Sequence, residues 1–334
     1  MRRRRFIPPL LIALATVAAF LAPTAPAQAA TPPYVALGDS YSSGTGTGSY
    51  IDDGTSCQRS VHAYPSLLAS EKGYELNFRA CSGATISDVT NTQLSALSSA
   101  TRYVTISVGG NDAGFADVLT ECATPWWAGD CDGAIDGAQA FINNTLPGQL
   151  DGLYSSIRAG APSATVVVVG YPRIFNGEDC NAATWFSPEE EARLNGTADL
   201  LNSVLANAAS ARGFGFANPT GAFIGHAVCD DPEWINGLSW PISESYHPKS
   251  VGHSSGYAPT VSPLLTGAPA RITRQTRADA RANADGLVAQ QRRYADVDAA
   301  IRPKSFRAPD LTTPAARRAA REHGIDIQRW LARH

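Results

Sequence analysis

No Cys-x-x-Cys and no paired His–Cys spacing occurs anywhere in the 334 residues, so nothing in the cysteine and histidine pattern reads as a zinc site. No apolar run reaches the length of a membrane span; the one long stretch, Phe6 to Leu21, is too short for a comfortable crossing. Basic residues are scarce through most of the chain. From Ala30 to Gly267, nine Lys and Arg stand against twenty-three Asp and Glu, a net of −14, which argues against nucleic acid as a partner.

What is present at the amino terminus explains the short apolar run. Arg2 to Arg5 precede it, and Pro23 and the small residues Ala27-Gln28-Ala29-Ala30 follow, which is the layout of a secretion signal over residues 1–29. The chain is therefore expected to be secreted and extracellular. Arg3-Arg4-Arg5-Phe6 also faintly resembles a twin-arginine signal, which leaves the export route open. All six cysteines follow the leader, and an even count in an exported protein reads as three disulfides. Six cysteines allow fifteen pairings. Nearest neighbours along the chain give Cys57–Cys81, Cys122–Cys131 and Cys180–Cys229.

Charge divides what remains. Residues 268–334 carry fourteen Lys and Arg against seven Asp and Glu, a net of +7, so an acidic body, 30–267, is followed by a basic Ala/Arg-rich extension. Within the body, Val35 to Leu37 read as a buried strand that stops at Gly38-Asp39-Ser40. Ala63–Lys72 carries helix-spaced apolar residues ending at Gly73, and Glu75–Ala80 is a second strand running into Cys81-Ser82-Gly83-Ala84-Thr85. Ser87–Ser99 has helical spacing with Ser87 as its cap. Tyr103–Val108 is a third strand ending at Gly109-Gly110-Asn111-Asp112. Ala134–Arg158 reads as a long helix, with Pro147 as a potential break. Thr165–Val169 is the most β-branched run of all, as expected of a central strand buried on both faces. Ser187-Pro188-Glu189-Glu190 opens a helix with a capping box and Pro in its first turn, and Phe214–Ala217 is a short fifth strand.

Strands alternating with helices predict an α/β fold: one doubly wound parallel sheet of about five strands with helices on both faces, plus a helical or partly disordered carboxyl-terminal extension. Ligands of such sheets bind beyond the carboxyl ends of the strands. Three of these ends are short polar glycine turns, which makes Ser40 a candidate nucleophile. In isolation Gly-Asp-Ser is also an ordinary turn.

A serine nucleophile needs a base, and the base needs an orienting acceptor. Of the six histidines, His323 and His334 lie in the extension, while His62, His226 and His253 sit in loops where local packing or hydrogen bonding explains them. His247 stands in Glu244-Ser245-Tyr246-His247-Pro248, with a carboxylate three residues upstream.

Gly38-Asp39-Ser40, Gly83 in its turn, Gly109-x-Asn111-Asp112 and His247-Pro248, in this order, resemble the SGNH (GDSL-type) hydrolases. The likeness covers about Tyr34 to Leu265, and the motif order, cysteine spacing and leader are most similar to the secreted bacterial lipases, esterases and phospholipases A of that family. The resemblance implies Ser40 as nucleophile and His247 as base. It also implies an oxyanion hole from the Ser40 N–H, the Gly83 N–H and the Asn111 side-chain amide, and it needs no metal or cofactor. Glycine at position 83 suits close approach of a backbone N–H, and Asn supplies a donor that does not titrate. The sequence departs from the usual Asp-x-x-His, having Glu244 there; the main-chain carbonyl of Ser245 is the alternative orienter.

The implied reaction is hydrolysis of carboxylic esters, lipid acyl esters foremost, by a monomeric secreted enzyme. A carbohydrate or small-ester acetylesterase is the enzymatic alternative, and a non-catalytic secreted binding module the alternative from another class. Trp126 and Trp127 are candidates for an exposed aromatic lip, and Phe115, Phe141, Trp185, Phe223 and Trp234 for an acyl groove. The basic extension has three readings: attraction to anionic phospholipid surfaces, docking on the acidic body, or trimming after export. Its apolar content is too low for firm membrane insertion.

Overall fold

The computed structural model describes residues 31–333; the leader lies outside the described residues. Five parallel strands, β1 (Pro33–Gly38), β2 (Glu75–Phe78), β3 (Tyr103–Ser107), β4 (Thr165–Val169) and β5 (Gly215–Ala217), form one sheet in the order β2-β1-β3-β4-β5. Successive side chains of a strand point to opposite faces, so a strand buried at every consecutive position has both faces covered. Val166, Val167, Val168 and Val169 are all buried, as are Val104, Thr105, Ile106 and Ser107. The α/β architecture with helices on both faces follows. The chain reverses its order of strand addition between β2-β1 and β3, and the Ser40 and Gly109 turns lie beyond the ends of β1 and β3 on either side of that point.

Local signals explain most elements. Ser187 accepts from the Glu190 N–H while Glu190 accepts from the Ser187 N–H, and the helix Pro188–Ala211 follows from this capping box. The region 134–158 is two helices rather than one. Cys131–Asn144 ends at Thr145, and Leu146–Gly160 begins with Pro147 in its first turn, where the missing N–H costs nothing. Ser87 does not cap a helix. Thr85 does, in a capping box with Asp88, and the chain continues through a π-turn at Val89–Gln93 and a 3₁₀ turn at Leu94–Ala96. That irregular course delivers Gln93 into the core, where its amide bonds both the N–H (2.7 Å) and the carbonyl (2.9 Å) of Gly38.

The three disulfides join Cys57 to Cys81, Cys122 to Cys131 and Cys180 to Cys229. Among the described residues no helix is long and apolar enough to cross a membrane.

Residues from Thr31 onward form one compact unit that continues past the change of charge at 267–268. The extension supplies helices at Arg274–Ala282, Ala284–Gln291 and Pro314–Glu322, and it buries Ala280, Leu287 and Ile301, which stand seven or fourteen residues apart. Its main anchor is ionic. Asp298, fully buried, accepts from Arg59 (2.6 Å) and Arg79 (2.7 Å), both buried, and the Arg79 guanidinium lies 3.8 Å from the Tyr294 ring centroid. Of the three readings of the extension, docking on the acidic body is the one the structure displays.

Candidate active site

Ser40 is the first residue of a single helical turn, Ser40–Ser43, that leaves β1 through Gly38. Gly38 has φ +121°, and a Cβ there would collide with the backbone of Ser107, so only glycine lets β1 turn this close to β3. Asp39 caps the turn by accepting from the Tyr41 N–H, and its own N–H donates to the Ser107 carbonyl. Its carboxylate also accepts from the hydroxyls of Ser107 (2.6 Å) and Tyr171 (2.5 Å). Burial raises the Asp39 carboxyl to about 6, with these three donors acting in the opposite direction.

Opposite it, the chain arrives at His247 through Tyr246, whose φ of +62° is unusual for a bulky side chain. The fold holds it there: the Tyr246 ring is fully buried among Phe175, Phe186 and Phe306, and its carbonyl accepts from the Tyr41 hydroxyl (2.8 Å). His247 Nε2 lies 2.8 Å from Ser40 Oγ, and its Nδ1 lies 2.9 Å from the carbonyl oxygen of Ser245. A carbonyl can only accept, so Nδ1 carries the proton and the Nε2 lone pair faces the serine. Burial lowers the His247 imidazole to about 4, opposed by the Ser245 carbonyl, so the ring is neutral at neutral pH.

Glu244 is placed elsewhere. It accepts from the Tyr50 hydroxyl (2.6 Å) and makes no hydrogen bond to the imidazole. Of the two orienters that the sequence left open, the one in contact with the imidazole is the Ser245 carbonyl. The cause is the left-handed turn at Tyr246, which folds the ring back on the carbonyl two residues earlier.

Gly83 (φ +81°) and Asn111 border the same cleft, and Asn111 also borders an apolar pocket beside Ser40. Among the described residues neither the Ser40 nor the Gly83 N–H donates to another protein group, which leaves both for a ligand. Asn111 spends one amide N–H on the Ala84 carbonyl (3.0 Å), a bond that fixes the orientation of the side chain and leaves its second N–H free. The pocket is walled by Phe115, Val118, Ile142, Leu194, Ala198 and Leu201, among others.

Of the aromatic candidates, Phe115 lines this pocket and Phe141 the adjoining cleft; Trp185, Phe223 and Trp234 line neither. Trp126 is exposed as expected of a lip, but Trp127 is buried against Leu311, Ala316 and Ala320 of the extension. Of the other histidines, His226 stacks on Trp234 at 3.7 Å, and His253 is buried against Tyr64 and accepts its N–H. Sequence reading missed Gln93, Ser107 and Tyr171, which brace the nucleophile turn across 55 to 132 residues and leave no local signal. Among the described residues no cluster of His, Cys, Asp and Glu could hold a metal.

A parallel α/β sheet presenting a serine, a neutral histidine held by a main-chain carbonyl, and unpaired donors beside an apolar pocket defines the class of serine hydrolases. Residues 36–254 match the model of the GDSL-like lipase/acylhydrolase family, and the chain belongs to that family. It is 45% identical over 268 residues to Lipase 1 of Streptomyces coelicolor, covering 78% of this chain and 98% of that one. Among solved structures, phospholipase A1 from Streptomyces albidoflavus is similar with a TM-score of 0.67 and 45% identity, covering 70% of this chain and all of the other. The extracellular lipase of Streptomyces rimosus follows with a TM-score of 0.66 and 43% identity, again over 70% of this chain and all of the other.

Proposed function

We propose that this protein is a secreted carboxylic ester hydrolase acting on lipid acyl esters, with Ser40 as nucleophile and His247 as general base. The observation that carries the reading is the 2.8 Å contact from His247 Nε2 to Ser40 Oγ, with the other ring nitrogen fixed on a carbonyl. Ser40 Oγ attacks the ester carbonyl while Nε2 takes its proton. The imidazolium that forms is stabilised by its Nδ1–H bond to Ser245 O. The oxyanion is received by the N–H groups of Ser40 and Gly83 and by the free N–H of Asn111, each such donor being worth about 3 kcal/mol of barrier. Collapse of the tetrahedral species breaks the C–O bond to the alcohol, which leaves with the proton from Nε2. Water then attacks the acyl-enzyme by the same route, releasing the acid and restoring Ser40.

The apolar pocket beside Ser40 suits a hydrocarbon acyl chain, since burying each methylene there contributes about 0.8 kcal/mol. The names of the Streptomyces relatives, lipases and a phospholipase A1, support a lipid ester, and the leader supports export. The chain acts as a monomer without cofactor or nucleic-acid partner. The test is hydrolysis of p-nitrophenyl esters from acetate to palmitate, and of phospholipid, by the mature protein beside Ser40→Ala. Activity that rises with acyl length and is lost in Ser40→Ala is expected. Activity confined to acetate would point to a small-ester acetylesterase, and silence of wild type and variant alike would point to a binding module.

A further inference from the structure

We propose that the extension residues 300–304 are a specificity-determining wall of the substrate cleft, limiting by shape the bulk of the ester group that lies beside the oxyanion donors. The inference rests on the assignment of Ser40, Gly83 and Asn111 above. Two cavities meet at Asn111 and Phe115. One is the apolar pocket at Ser40. The other is a cleft with Gly83, Asn111 and Phe141 on the catalytic side and Ala300, Arg302 and Lys304 on the far side. Between these tail residues, Pro303 sits directly on Gly83. A Cβ added at Gly83 would run into Pro303 Cα and lie 2.9 Å from its Cβ and 3.1 Å from its nitrogen. The same glycine thus meets the left-handed turn and the closely packed strap.

The strap has no regular structure, and it is held at both ends. Before it, Asp298 is locked to Arg59 and Arg79, and within it Ile301 is fully buried. After it, Phe306 is buried with its ring 5.0 Å from that of Tyr246, the residue preceding His247, and the Arg307 N–H donates to Thr120 Oγ1 (3.0 Å). Charge is not what the strap contributes. Lys304 is paired with Asp117 (2.8 Å), the Arg302 guanidinium turns back to the carbonyls of Ala299 and Ile301, and Asp88 and Asp112 face the same cleft. Shape remains. The wall also lies outside residues 36–254, the part of the chain that matches the family model.

The experiment uses the full mature chain with residues 308–310 replaced by the recognition sequence of a site-specific protease, with and without Phe306→Ala. Each protein is folded intact and then cut. kcat/KM is measured on p-nitrophenyl butyrate and on dioctanoyl phosphatidylcholine. Relative to the same variant left uncut, cutting the Phe306→Ala protein is expected to raise the phospholipid-to-butyrate ratio by about tenfold, the discrimination typical of a modest steric change in a pocket, with butyrate turnover within about twofold of the uncut variant. An unchanged ratio after complete cutting would overturn the proposal. So would a parallel fall on both substrates with a lowered Tm, which would make the strap a purely structural element. Ser40→Ala is run on the same butyrate ester; turnover surviving there would refute the nucleophile assignment, an outcome separate from failure of the wall.

Discussion

Replacing Glu244 by glutamine should leave catalysis nearly intact, although the residue stands where a triad acid is expected. If the carboxylate oriented His247, its loss would cost about 10⁴ in kcat, or roughly 5.5 kcal/mol of barrier. In the structure the imidazole Nδ1–H is instead satisfied at 2.9 Å by the Ser245 carbonyl, and Glu244 is engaged with the Tyr50 hydroxyl at 2.6 Å. Glutamine keeps an oxygen to accept from Tyr50 and loses only the charge on the acceptor, so the expected penalty is about 1 kcal/mol of stability. kcat on p-nitrophenyl butyrate should then stay within about threefold of wild type, because a main-chain orienter is untouched by the substitution. Steady-state kinetics on that ester, beside a thermal melt, make the measurement. A fall of about 100-fold or more in kcat with a melt near that of wild type would refute the carbonyl-oriented dyad and restore Glu244 to the triad.

Because burial holds the His247 imidazole at about 4, the acid limb of kcat/KM is expected near pH 4; a limb at 6.5 that survives Asp39→Asn, which removes the carboxyl beside the nucleophile that is raised to about 6, would sink the assignment. For stability the sign follows from the lowered folded value: the His247 contribution is full above its unfolded value of about 6.5 and is lost as pH falls through about 4. Asp39, raised to about 6, acts oppositely, its contribution being full below about 3.8 and lost as pH rises through about 6. Asp298→Ala strips the buried Arg79 of its carboxylate partner and is expected to destabilise by about 3–5 kcal/mol in urea unfolding; a loss under about 1 kcal/mol would show that the extension is not anchored there. Ala198→Phe should fill the apolar pocket and lower kcat/KM for decanoate relative to acetate by about 10- to 100-fold, whereas a parallel decline on both would place the acyl chain elsewhere.

Much of this protein was legible in its residue order. Strand periodicity, the capping box at Ser187 and the glycine turns are interactions within a few positions, so β1 to β5 could be located without coordinates, while Ser40, Gly83, Asn111 and His247 were singled out by the order of their motifs, which resembles that of the family. The same holds for three cysteine pairs whose partners are neighbours along the chain.

What residue order could not decide were choices between groups equally near in sequence, and contacts between groups far apart. Glu244 and the Ser245 carbonyl are both within reach of His247 by spacing; the positive φ of Tyr246, imposed by burial of its ring among Phe175, Phe186 and Phe306, selects the carbonyl. Trp127 reads as an exposed aromatic until the extension covers it, and a change of charge at 267–268 reads as a boundary until Asp298 is found beneath Arg59 and Arg79, more than two hundred residues away. Local propensity acts through the backbone over a turn or two. Packing and buried charge pairing act through space, and only the completed fold determines which distant side chains share the low-dielectric interior where those interactions become strong.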